Sequence, residues 1–131
     1  MDGAKSGAPS CNLDFLETSL GRNRNTALRL VSLFLDSYPH LLRRLDEALA
    51  ADDLERLRQV VHDIRGNCVL FSAQECLALT VRMENALRLA LGSPGRRGDG
   101  TDWLAEVAAL RCALERMVVE LKDYLVDSAS R

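Results

Sequence analysis

The sequence predicts an all-α protein, an antiparallel up-down four-helix bundle with a short additional N-terminal helix. Three observations predict it. Apolar residues make up 47% of the chain but aromatics only 5%, so the core must be built from Leu, Val and Ala, a helix-rich set. Only 3 prolines occur, and the long stretches without Gly or Pro suit helices better than short strands. Apolar residues also recur at steps of three and four through four long segments. At 131 residues the chain is one domain, long enough for a core without disulfides or metals.

Residues 1–11 are expected to form a flexible leader, small, polar and rich in Gly, Pro and Ser up to Ser10. Its Gly3-Ala4-Lys5-Ser6 lacks the upstream glycine and the following helix of a phosphate loop. The bundle domain is assigned to 12–127 and a C-terminal tail to 128–131. A short helix runs from about Asn12 to Leu20, with Leu13, Leu16 and Leu20 on one side, and Gly21 stops it. The second helix starts near Asn25, a good N-cap residue, and carries Leu28, Val31, Leu35, Tyr38, Leu42, Leu45 and Leu49 as a buried stripe. Pro39 inside it predicts a kink or local break near Leu35, and His40 reads as a surface residue.

Asp52 to Glu55 has capping-box spacing and opens the third helix, whose core stripe is Leu54, Leu57, Val61, Ile64, Cys68 and Phe71. Ser72 to Glu75 repeats that spacing and predicts a sharp turn into a fourth helix carrying Leu77, Thr80, Val81, Leu87 and Leu91. Gly92 to Gly100 is a loop. Thr101 can cap a final helix with Leu104, Val107, Leu114, Val118, Leu121 and Leu125 inward. Each long helix spans about 30 Å at 1.5 Å per residue, and the mostly short connections force antiparallel neighbours.

The totals exclude several function classes. A net charge of −2, with Lys+Arg 17 against Asp+Glu 19, gives no broad basic field for nucleic acid. No apolar run is long enough to span a membrane, and the N-terminus lacks the apolar segment of a signal peptide. Cys11, Cys68, Cys76 and Cys112 show no CxxC and no His at metal-ligand spacing, so they are read as reduced, buried or idle thiols in a reducing cytoplasm, with no metal.

His62 is the most informative residue. It lies at the margin of the stripe centred on Val61 and Ile64 and is expected to face solvent. Its neighbours on that face are Arg58, Gln59, Arg65 and Gly66, with Glu55 and Val69 one turn further out. An imidazole is a competent nucleophile toward phosphorus, and a guanidinium one turn on can pair with phosphoryl oxygens. Glycine costs about 1 kcal/mol relative to Ala inside a helix, so Gly66 calls for a reason, and room for a phosphoryl group and its carrier supplies one. The same residues are compatible with a solvated helix face, ordinary surface arginines and a close helix contact at Gly66. No phosphate-binding glycine loop, Mg²⁺-binding carboxylate cluster or nucleotide-binding α/β pattern accompanies them, so any ATP chemistry must come from another domain.

The segment Val61-His62-Asp63-Ile64-Arg65-Gly66-Asn67-Cys68-Val69-Leu70-Phe71-Ser72-Ala73 resembles the signature of histidine-containing phosphotransfer (HPt) domains, roughly Ala-His-x-Leu-Lys-Gly, a small-residue stretch, then Gly-Ala. The resemblance continues to Met83-Glu84, where the family usually has Leu-Glu. Upstream, Leu33-Phe34-Leu35-Asp36-Ser37-Tyr38-Pro39 resembles its Phe-Leu-x-x-x-Pro, and Asn12-Leu13-Asp14 resembles its opening, so residues 12 to about 90 are covered. Arg65 stands in place of the usual Lys, Ser72 of the usual Gly and Val61 of the usual Ala, and the loop after Gly92 is longer than the family pattern.

The resemblance implies that His62 accepts and donates a phosphoryl group exchanged with receiver-domain aspartates, with Arg65 as charge partner and Gly66 keeping the site open. Glu84 matches a position that in some members holds a polar side chain near the imidazole, and a plain surface glutamate is the equal alternative. Glu55, Arg58, Gln59 and Val69 complete the expected partner-binding surface. The implied partners are response-regulator receivers and a sensor histidine kinase, hybrid or otherwise. The implied state is a cytoplasmic, bacterial monomer without a cofactor, Mg²⁺ coming from the receiver. Met1 and the short leader favour a free-standing shuttle over the cytoplasmic end of a membrane hybrid kinase.

Two rival readings differ in class. His62-Asp63-Ile64-Arg65 is also similar to the H-box of the dimerisation and phosphoacceptor domain of sensor kinases. That box continues with Thr or Asn and then Pro, where this chain has Gly66 and Asn67, and the domain is an obligate dimer of helical hairpins. A helical adaptor without chemistry would show the same apolar stripes.

Overall fold

The computed structural model describes residues 11–92 and 101–129. Nearly all of the leader, nearly all of the loop expected from Gly92 to Gly100 and the end of the expected tail lie outside the described residues. Within them the elements are α1 (Leu13–Ser19), α2 (Arg24–Ala50), α3 (Leu54–Leu70), α4 (Gln74–Gly92) and α5 (Trp103–Ala129), with no strand. α2 packs against α3 and α5, and α4 packs against the same two helices, so α3 and α5 occupy opposite corners of a four-helix bundle. α1 crosses the end of the bundle, where the Asn12 N–H donates to the Phe71 carbonyl at 3.0 Å.

Helix starts are set by side-chain caps that take up otherwise unpaired N–H groups. Asn12 accepts from the Phe15 N–H at 2.9 Å, Asn23 from Thr26 at 3.0 Å, Asp53 from Arg56 at 3.1 Å and Asp102 from Ala105 at 3.2 Å. The caps of α2, α3 and α5 therefore differ from the expected Asn25, Asp52 and Thr101. The reason is clearest at Asp52, which takes a left-handed φ of 51° that ends α2, leaving the extended Asp53 to cap α3. Its N–H donates to the Leu49 carbonyl while Asp53 donates to Ala48, the paired pattern of a Schellman stop. Ser72 repeats the arrangement at φ 53°, with Ser72 and Ala73 donating to Val69 and Cys68, so it stops α3 rather than capping α4. Gly21, at φ 69°, ends α1 as expected.

The buried stripes shift the expected core in three helices. α2 turns Ala27, Val31, Phe34, Leu41, Leu45 and Ala48 inward, with Leu28, Leu35, Tyr38, Leu42 and Leu49 at the flanks. Phe34 anchors it, meeting Phe71 edge-on with ring centroids 5.7 Å apart. α2 runs unbroken through Pro39, which lies on the exposed side with His40, so the expected local break is absent. α4 buries Cys76, Thr80, Met83 and Leu87, while Val81 and Leu91 stay exposed. α5 buries Val107, Leu110, Ala113, Leu114, Met117, Val118 and Leu121. Leu104, expected inward, is 71% exposed, because it lies about 100° round from the centre of that stripe.

Two boundaries also move. Cys11, expected in the leader, is buried, and its N–H donates to Glu120 Oε1 at 2.9 Å. α5 continues through Ser128, so the tail expected from 128 begins inside the helix.

Candidate functional site

α3 presents Val60, Val61, Ile64 and Cys68 to the core, which rotates His62 to the solvent side with its side chain 62% exposed. α4 turns Met83 inward, and the next residue, Glu84, is thereby placed at the α3–α4 seam facing His62. His62 Nδ1 lies 3.0 Å from Glu84 Oε2, and an Arg65 guanidinium nitrogen donates to Glu84 Oε1 at 2.7 Å. The Glu84 side chain is only 12% exposed. One carboxylate thus holds two α3 side chains spaced one turn apart.

Burial pushes the Glu84 carboxyl up, but hydrogen bonds from Arg65 and His62, together with their charges, outweigh it and hold it below the usual carboxylate range. At neutral pH Glu84 is therefore ionised and can only accept. The proton on the imidazole must then sit on Nδ1, leaving the Nε2 lone pair free. The structure gives Arg65 a partner, Glu84, that spacing along α3 did not reveal; its other N–H donors remain free to meet an anion.

Gly66 is exposed, and a Cβ added there would meet nothing within 4 Å. Close helix contact therefore does not explain this glycine, and the space above it is open. Asp63, next in sequence to His62, is turned to α2, where Arg44 donates to it at 2.8 Å. Asn67 donates to the Asp63 carbonyl within α3.

The remaining expected site residues form a separate group. Glu55 accepts from Arg58 Nε at 3.1 Å and from Gln59 at 3.2 Å. Those hydrogen bonds hold its carboxyl below the usual range. None of the three has a hydrogen bond or ion pair to His62. Val69, two turns along the face from His62, is 57% exposed. Beside the centre, an open groove of about 450 Å³ between α3 and α4 is lined in part by Arg58, Arg65, Glu84, Asn85 and Arg88. Of the two residues absent from the sequence reading, Arg88 is four residues from Glu84 and is legible from helical spacing, whereas Asn85, next to Glu84 in sequence, joins the groove through Arg88, which donates to its Oδ1 at 2.7 Å. No group of three or more His, Cys, Asp or Glu among the described residues could hold a metal ion. No helix among the described residues is long and apolar enough to cross a membrane.

The sequence matches the Hpt domain family over residues 29–124, which includes the His62–Arg65–Glu84 centre. The chain belongs to the Hpt domain family. Its fold is similar to that of the HPT domain from a sensor hybrid histidine kinase of Shewanella, with a TM-score of 0.73 and 22% identity over 90% of this chain and 95% of that one. No curated protein matches the chain. Hpt domains carry phosphoryl groups in phosphorelays and are not ATP-binding kinases, so this chain has a histidine phosphotransfer role alongside receivers and kinases. The two-helix hairpin of a kinase dimerisation domain does not describe the five helices found among the described residues.

Proposed function

We propose that His62 is the phosphoryl acceptor and donor, exchanging the group with aspartates of response-regulator receivers. The observation that carries this reading is the Glu84 contact on Nδ1, which leaves Nε2 as the nucleophile on an exposed imidazole. In the acceptor direction the Nε2 lone pair attacks the phosphorus of a receiver's aspartyl phosphate in line. The N–P bond forms as the P–O bond to the aspartate breaks, and the aspartate leaves as a carboxylate. Nδ1 keeps its proton, and the positive charge that develops on the ring is met by Glu84. Arg65 offers its free donors to the phosphoryl oxygens, and Gly66 leaves room for the receiver's loops. The receiver brings Mg²⁺ and most of the electrostatic stabilisation. Both phosphorylated side chains are high-energy species, so the direction of transfer follows the populations of partners.

The receiver's docking surface is proposed around Val69 and Leu33, both more than half exposed. Phe34 of α2 meets Phe71, the residue that ends α3, which brings the neighbouring Leu33 to the C-terminal end of that helix. Glu55, Arg58 and Gln59 extend the surface in the other direction. Each chain carries a complete centre, so transfer needs no second copy. The setting we propose is the cytoplasm of a bacterium, where a sensor kinase supplies the relay.

The test mixes the protein with a phosphorylated receiver and follows an acid-labile, base-stable label. The wild type takes up the label and His62→Gln does not. Absence of label from every receiver, with the fold intact, would leave the adaptor reading in place.

A further inference from the structure

We propose that the groove between α3 and α4 binds an acidic side chain of the docked receiver through Arg88, a contact that selects among receivers and orients them over His62. The proposal rests on the reading that a receiver exchanges a phosphoryl group with His62. The groove, about 450 Å³, begins at the phosphorylation centre, because Arg65 and Glu84 line it. Its α4 wall includes Val81, Glu84, Arg88 and Leu91, which share one helix face at steps of three and four. From Val81 to Leu91 that wall runs about 15 Å. α3 and α4 run antiparallel across the tight turn at Ser72. The contacts of Glu84 with His62 and Arg65 therefore carry Arg88 toward the N-terminal half of α3, where Arg58 lines the opposite wall.

Charge selects the occupant. Three arginines and two glutamates line the groove, and both glutamates are taken, Glu55 by Arg58 and Glu84 by Arg65. The other arginines of these helices are matched as well, Arg56 by Glu47 and Arg82 by Glu106. Arg88 is the one arginine of α3 and α4 without an acidic partner among the described residues. Its hydrogen bond goes to the neutral Asn85 Oδ1 at 2.7 Å. An amide orders a guanidinium without cancelling its charge and leaves the remaining N–H donors for a carboxylate. The groove is thus locally positive on a chain whose net charge is −2, and a carboxylate complements it. Val81 and Leu91, 40% and 36% exposed, stand on either side of Arg88 and suit apolar residues flanking the acid. Along α3, His62 then lies between an apolar end at Val69 and a cationic end at Arg58 and Arg88. A receiver that meets both ends sets its aspartyl phosphate over His62 in one direction only.

Rapid-quench uptake from a receiver that labels the wild type, followed over a range of receiver and salt concentrations, tests this. Arg88→Glu raises the half-saturating receiver concentration at least about tenfold, and the effect falls there rather than on the transfer rate at saturation. Arg88→Lys, which keeps the charge, recovers most of the loss. Wild-type uptake weakens with added salt more steeply than that of Arg88→Gln. Lys122→Glu makes the same change of charge on the exposed side of α5, diagonally across the bundle from α3, and transfers as the wild type does. Among charge-reversing variants of single acidic residues on the receiver, one restores uptake by Arg88→Glu and impairs uptake by the wild type. Equal concentration dependence for wild type and Arg88→Glu, an equal loss in Lys122→Glu, or no compensating receiver variant overturns the groove contact and leaves His62 as the acceptor. Absence of label on the wild type from every receiver overturns both readings.

Discussion

Glu84 Oε2 sits 3.0 Å from His62 Nδ1, while the other oxygen of the same carboxylate is held by Arg65 at 2.7 Å. Arg65 thus keeps Glu84 in place, and Glu84 keeps the imidazole in one tautomer and one orientation. Replacing Glu84 with Ala removes both controls without opening the core, since Met83 and Leu87 provide the burial on that side. Phosphoryl uptake in rapid-quench experiments should slow by about tenfold or more, the worth of a hydrogen bond to a charged group. The ¹⁵N spectrum of His62 should move from protonated Nδ1 toward a mixture of tautomers. An unchanged spectrum would remove Glu84 from its positioning role.

The pH dependence of that contact has a defined sign. Glu84 ionises below its ordinary value of 4.5 because the hydrogen bonds and charges of Arg65 and His62 outweigh its burial. A carboxyl depressed by folding contributes stability that is fully present above its unfolded value and is lost as the pH falls through its folded one. The stability advantage of wild type over Glu84→Gln, from urea titrations, should therefore be flat above about pH 5 and shrink as the pH drops below that. An advantage that persists undiminished at the acid end, where the carboxyl is protonated, would contradict the ion pairing.

Gly66 separates folding from docking. In the free protein a Cβ there meets open space, so Gly66→Ala should raise stability by about 0.5–1 kcal/mol through helix propensity alone. Gly66→Leu should fold as well as the wild type, yet transfer more slowly because the side chain enters the space a receiver needs. Transfer at the wild-type rate by Gly66→Leu would show that this glycine serves no partner.

The four cysteines divide by accessibility. Burial pushes the Cys11 thiol up to about 12, with Glu120 and Cys76 adding to it. Cys68 is raised by its hydrogen bond with Cys76 and by burial. Cys112 alone is exposed. A thiol reagent at neutral pH should modify Cys112 in the native protein and reach Cys11, Cys68 and Cys76 only on unfolding. Rapid native labelling of Cys11 would mean that the segment before α1 is not held by Glu120.

What was legible in the sequence followed from contacts within one helix. His62, Arg65 and Gly66 share a face at steps of three and four, so their grouping could be read from spacing. Glu84 could not, because it lies on another helix and only packing at the α3–α4 seam brings it across; the family resemblance, not periodicity, pointed to it. The caps slipped by one or two residues where two candidates are near neighbours, as at Asp52 and Asp53. Which one caps depends on which takes the left-handed turn, a choice made by how α2 and α3 meet. Leu104 reads as inward because leucine on a helix of period 3.6 is usually core, and its exposure is a property of where α5 sits against its neighbours. The composition before Cys11 places it in the leader, whereas its contact with Glu120 joins residues 109 positions apart.

The most direct test of the central claim is to incubate the protein with a receiver carrying a labelled aspartyl phosphate and locate the label by ³¹P and ¹⁵N NMR. The account predicts one phosphoryl group per chain, on Nε2 of His62, absent from His62→Gln while His40→Gln labels as the wild type does. Label on Nδ1 of His62, on His40, or surviving in His62→Gln would contradict it.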